Sequence, residues 1–122
     1  MKQRPLSPHL QVYRPQITSV LSIMHRLSGI GLFVGLFILV IGLGCLATSE
    51  GVFQSFRNFL SGILGQTTLF FCLLGFYYHL ANGLRHLGWD AGYGFELTTT
   101  ERTGIIVIVF TLVATALTWM NF

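Results

Sequence analysis

The chain has 122 residues, 52% of them hydrophobic and only 9% charged, whereas a soluble domain carries about a quarter charged residues. Residues 27–49, 58–84 and 103–122 contain no Asp, Glu, Lys or Arg; each stretch is close to the roughly 20 residues that cross a bilayer as a helix, and three such spans leave no room for a soluble catalytic domain. The net charge of +3 is not a nucleic-acid footprint, because Lys2, Arg4, Arg14 and Arg26 precede or open the first span in the positive-inside manner.

This layout predicts an all-α membrane protein: one transmembrane domain over residues 1–122, three helices, N-terminus inside and C-terminus outside. Residues 1–18 are polar and broken by Pro5, Pro8 and Pro15, which deny a long helix. They fit neither a cleavable signal peptide nor a transit peptide. Leu10, Val12, Tyr13 and Ile17 favour a segment docked on the inner surface over a disordered tail. The first helix is expected over about 19–47, with Thr18 or Ser19 as its N-cap. Ser22, His25, Arg26 and Gly29 stand at i, i+3, i+4 and i+7 and make one polar stripe. Snorkelling accounts for Arg26 alone but not for the stripe; polar groups sharing one face of a membrane helix point to the bundle interior or a cavity. Gly31, Gly35 and Gly42 read as helix packing, and Cys45 and Cys72, inside apolar runs, as small packing residues.

Residues 48–62 are expected to form an outer loop carrying Glu50 and Arg57. The second helix, about 65–88, holds His79 and His86 two turns apart on one face, with Gly83 between them leaving room for something flat against the backbone. Imidazole at membrane depth is a functional hypothesis by default and a standard haem ligand; the plain alternative is a hydrogen bond from His79 to a neighbouring helix. An inner loop, about 89–103, carries Asp90, Glu96, Glu101 and Arg102 with Gly92 and Gly94 as turn residues. In the third helix, about 104–120, Thr111, Thr115 and Thr118 are expected to bond back to their own backbone or to a neighbour. There is no repeat, phosphate loop, nucleophile–base pair or paired carboxylate.

Depth gathers these residues. With the N-terminus inside, Ser22, His25, Arg26, Arg85, His86 and Asp90 lie near the inner face, and His79 lies about 9 Å deeper than Arg85 at 1.5 Å per residue. A one-sided site does not suit a transporter, whose polar residues belong near the midplane. It suits a haem, with His79 on iron and His25, Arg26 and His86 toward the propionates. His79 and His86, about 10 Å apart along one helix, cannot flank one iron. Only His25 remains at suitable depth within the chain, and it lies high near the interface; the iron is then five-coordinate, or a second subunit supplies the other ligand.

Arg4-Pro5-Leu6-Ser7-Pro8-His9-Leu10, Ser22-Ile23-Met24-His25-Arg26-Leu27-Ser28-Gly29 and the run from His79 to Gly92 resemble, in order, three motifs of one family: the cytochrome b subunit, or large membrane anchor, of succinate:quinone oxidoreductase (succinate dehydrogenase, respiratory complex II). The resemblance covers nearly the whole chain. It implies a heterodimeric helical bundle with a second small membrane anchor, holding the iron–sulfur and flavoprotein subunits on the inner face. It implies haem b with His79 as one axial ligand and the partner anchor supplying the other, His25, Arg26 and His86 near the propionates, and Ser22 and Arg26 lining the ubiquinone pocket. A quinone taking two electrons needs protons and a group to steady negative charge on oxygen; Ser22 offers a hydroxyl and Arg26 a permanent charge. Asp90 and Arg85 read as a proton relay or as a structural pair.

The chain is thus expected to serve an enzyme as a subunit that does not bind succinate, in a bacterial cytoplasmic membrane or, if organelle-encoded, a mitochondrial inner membrane. Two alternatives stand beside this: a purely structural anchor without haem, and the anchor of a quinol:fumarate reductase. Intact Ser22, Arg26 and His79 weigh against the first.

Overall fold

A computed structural model describes residues 14–121; the Arg4–Leu10 motif and the rest of residues 1–13 lie outside them. The described residues are all-helical: α1 (Ile17–Thr48), α2 (Glu50–Ser61), α3 (Ile63–Asp90) and α4 (Leu97–Met120). Three of these, α1, α3 and α4, are long and apolar enough to cross a membrane.

Helix α1 begins at Ile17, and its N-cap, Gln16, two residues before the expected Thr18, is extended with no side chain capping the end. Its 32 residues reach about 48 Å at 1.5 Å per residue, more than the ~30 Å hydrocarbon layer. Ser49 ends it: extended backbone at this one residue breaks the helix, and its hydroxyl accepts from the Val52 amide at 3.3 Å to cap α2. Glu50 in the first turn complements the helix dipole.

The expected outer loop over 48–62 is therefore mostly helix. Val52, Phe53, Phe56, Phe59 and Leu60 recur at helical spacing, and the half-buried members of this stripe pack inward. A Cβ at Gly42 would sit 2.7 Å from the Phe56 ring, so the glycine lets α2 seat on α1. Gly62 is the single residue between α2 and α3. At Gly65 a Cβ would run into the Leu60 backbone, so the turn closes only with glycine there.

Helices α1, α3 and α4 pack up-down-up. Leu21 meets Asn82, and Gly35 meets Cys72; Arg85 meets Thr100, and Phe70 meets Trp119. Both pairings run antiparallel, so the start of α1, the end of α3 and the start of α4 share one end of the bundle. The inner loop shrinks to residues 91–96, with Gly92 and Gly94 at φ +88° and +79°, a region that favours glycine. Residues 97–103, expected in the loop, form two further turns of α4 because Arg85 captures them.

The interior inverts the pattern of a soluble core. Leu21 and Val107 are the large apolar side chains buried among the described residues, alongside buried Asn82, Thr100, Thr111 and Thr115. Thr100, Gly104, Val107, Thr111 and Thr115 form one stripe at i+3 and i+4 spacing along α4. Small and polar residues belong at helix contacts in lipid, where apolar burial gives no driving force. Thr111 bonds back to the Val107 carbonyl at 2.8 Å and Thr118 pairs with the Tyr77 hydroxyl at 2.7 Å. The Thr115 hydroxyl is buried without a partner among the described residues, contrary to the expectation for it.

Candidate functional site

Two carbonyls of α1, one turn apart, organise the site. The Leu21 oxygen accepts from the Tyr78 hydroxyl at 2.7 Å and from Asn82 Nδ2 at 3.4 Å. The His25 oxygen accepts from the Ser28 hydroxyl at 2.8 Å and lies 3.1 Å from His79 Nδ1. Each of these α3 side chains reaches a backbone oxygen that already belongs to a helix, so the bonds fix how far α1 sits along α3. Asn82 is fully buried and passes the restraint on, accepting from Arg85 at 3.2 Å.

The three histidines meet. His25 and His79 stack with centroids 4.0 Å apart and planes within 10°, and His25 to His86 is 5.0 Å at a tilt. The room that Gly83 leaves is taken by His25 itself: a Cβ at Gly83 would lie 3.6 Å from His25 Nε2. Gly29 does the same for His79, whose Cε1 would be 3.1 Å from a Cβ there. An imidazole from each helix thus lies against the other helix's glycine.

Arg85 does not pair with Asp90. Its Nε donates to Thr103 at 3.0 Å, one terminal nitrogen to Asn82, and the other to the Thr100 carbonyl at 2.8 Å, while the guanidinium carbon lies 4.2 Å from the Trp89 ring centroid. Five residues at about 100° each turn Asp90 roughly 140° away from Arg85, and Asp90 is exposed at the helix end. The guanidinium is a structural clamp between α3 and α4.

Ser22, half-buried, and Arg26, exposed, occupy successive turns of α1 and form no hydrogen bond among the described residues. An apolar cleft of about 780 Å³ between α1, α3 and α4 is lined by Met24, Leu27, Phe71 and Leu112, with Ser28 and Tyr78 in its wall. Met24 is two residues from both Ser22 and Arg26, hence about 160° round the helix from each. The polar pair and the cleft are on opposite flanks of α1.

The donor set suits a haem. No three His, Cys, Asp or Glu side chains converge as ligands for a bare metal ion among the described residues, while an imidazole is a standard ligand for haem iron. His79 is tied at Nδ1; its Nε2 has no hydrogen bond among the described residues, and His25 Nε2 is buried without a partner. Ser28, Tyr78 and Asn82 were not singled out by sequence reasoning, although Asn82 is three residues from His79 on the face that carries it.

The model of the succinate dehydrogenase/fumarate reductase transmembrane subunit family matches residues 1–118. The chain is 39% identical over 122 residues to the succinate dehydrogenase cytochrome b556 subunit of Rickettsia prowazekii, covering 97% of this chain and 92% of that one. It is 41% identical over 124 residues to the cytochrome b560 subunit of Reclinomonas americana, covering 98% and 86%. To the cytochrome b556 subunit of Paracoccus denitrificans it is 38% identical over 119 residues, covering 98% and 92%.

Proposed function

The chain belongs to the succinate dehydrogenase/fumarate reductase transmembrane subunit family, and on that footing we propose that it binds haem b through His79 and forms part of a ubiquinone-reducing site. It is a cytochrome b membrane subunit of succinate dehydrogenase. With a second small anchor it would hold the iron–sulfur and flavoprotein subunits on the inner face of a bacterial cytoplasmic or mitochondrial inner membrane, N-terminus inside.

The observation that carries this reading is the His79 imidazole. One ring nitrogen is tied to α1 and the other has no partner among the described residues, at the end of the bundle where His25 and His86 meet it and Arg26 opens α1. Haem b held there supplies a one-electron store beside the quinone. The chain's own residues do the rest. His25, whose buried Nε2 lies against Gly83 and lacks a partner among the described residues, and His86 would stand near the propionate carboxylates. Arg26 adds a charge at the same end. Ser22 hydrogen-bonds the quinone oxygen, and Arg26, four residues on, steadies the negative charge that develops there. His25 lies flat on the His79 ring, and a residue of the partner anchor would join His79 in holding the haem.

The test is a reduced-minus-oxidised spectrum of the purified complex. His79→Leu should abolish the low-spin b-type spectrum, and His86→Leu should shift the haem potential without loss of ligation. An unchanged spectrum in His79→Leu, with loss in His86→Leu, would reverse the two roles.

A further inference from the structure

We propose that the Ser28 hydroxyl is a positioning group for His79, holding that imidazole as the Nδ1–H tautomer so that Nε2 carries the lone pair an iron needs. This rests on the reading of His79 as a haem ligand and adds to it a residue that no motif role assigns.

Three distances carry the inference. The Ser28 hydroxyl lies 2.8 Å from the His25 carbonyl oxygen, which can only accept, and so donates its single proton there. A hydroxyl whose proton is committed has only lone pairs left to offer. Its second neighbour is His79 Nδ1 at 3.1 Å. The His25 carbonyl oxygen, also 3.1 Å from that nitrogen, can only accept. Nδ1 therefore faces two acceptors, and a proton on Nδ1 satisfies both. The opposite tautomer would set a lone pair against the carbonyl oxygen. A neutral imidazole protonated at Nδ1 has its lone pair at Nε2.

The arrangement depends on close approach. With no Cβ at Gly29, the edge of the His79 ring packs on the α1 backbone, within reach of the hydroxyl and carbonyl together. Ser28 otherwise sits in the wall of an apolar cleft, where its hydroxyl has no other polar neighbour among the described residues. Donation from Nδ1–H to these acceptors raises the donor strength of the ligating nitrogen, which favours ferric over ferrous iron.

The experiment uses the complete haem-loaded complex carrying Ser28→Ala or Ser28→Thr, with His79→Leu beside them, read by redox titration of the haem spectrum. Ser28→Ala should keep a low-spin haem but raise its midpoint. The expected change is about tenfold in the ratio of ferric to ferrous affinity, equivalent to about 59 mV for a one-electron couple. Ser28→Thr, with a hydroxyl on the same carbon, should restore most of the wild-type value. A wild-type midpoint in Ser28→Ala, or an equal shift in Ser28→Thr, overturns the proposal. If Ser28→Ala does not assemble, Ser28→Cys, whose sulfur accepts weakly, is read in its place: an intermediate shift supports the role and no shift overturns it. His79→Leu separates the two levels. If its low-spin spectrum persists, His79 is not the ligand and the underlying reading fails; if that spectrum is lost while the Ser28 variants titrate as wild type, only the role of Ser28 fails.

Discussion

Ser22 and Arg26 stand four residues apart on α1, across the helix from the apolar cleft, and neither forms a hydrogen bond among the described residues, so replacing them tests quinone chemistry without breaking a bond that holds the helices together. Ser22→Ala should slow quinone reduction while leaving succinate oxidation by a soluble artificial acceptor near wild type. A neutral hydrogen bond is worth roughly 0.5–1.5 kcal/mol and a charge-assisted one about 1.5–3 kcal/mol. Arg26→Leu should therefore cost more, by about tenfold in rate for an extra 1.4 kcal/mol, and Arg26→Lys should rescue only in part because a point charge does not reproduce the guanidinium fork. Wild-type rates in both Ser22→Ala and Arg26→Leu would make the stripe structural. At this scale the sequence showed which ionisable groups share an end of the bundle, because charge at membrane depth is rare. It did not show that His25 fills the space beside Gly83, since one helix's periodicity says nothing about the rotamer of a ring on another. Ser28 was hidden for a related reason: serine in a membrane helix reads first as a packing residue or a back-bond, and it is indeed back-bonded.

Among the elements, α2 was within reach of the sequence. Its apolar residues recur at 3.6-residue spacing, but at 12 residues it is too short to span, and between two spans it passed for a loop. The early start of α4 was not within reach. Thr98 to Arg102 look like loop by composition, and what makes them helix is tertiary: Arg85 reaching across to Thr100 and Thr103. This clamp uses Nε and both terminal nitrogens, one bond each, which an ammonium group cannot span. Arg85→Lys should lower the thermal midpoint of the purified complex, consistent with loss of one or two charge-assisted bonds of about 1.5–3 kcal/mol each. Asp90→Asn should leave the midpoint unchanged, because Asp90 is not a partner of Arg85. A lowered midpoint in Asp90→Asn with none in Arg85→Lys would restore the Arg85–Asp90 pair.

For the molecule as a whole, three spans and two ends make a parity argument. If the basic residues before and at the start of α1 hold the N-terminus inside, a reporter fused after Phe122 should be active only as an outside reporter. Activity of a cytoplasm-only reporter there would remove the topology and the one-sided site together. The exterior fits the same picture: Phe33, Phe37, Leu39, Ile106, Leu112 and Leu117 are all more than half exposed, as suits contact with lipid or with another membrane subunit.

The connections divide that whole unevenly. One residue joins α1 to α2 and one joins α2 to α3, while six join α3 to α4. A chain with no slack transmits any change of length. An extra residue at Ser49 or Gly62 would rotate the following helix by about 100° and shift it by about 1.5 Å, enough to take His79 off its carbonyl. The same insertion in residues 91–96 would be absorbed before it reached Arg85. A change of length is therefore absorbed at the end of the bundle where the histidines meet and transmitted from the other end, the reverse of the usual division between working loops and inert scaffold.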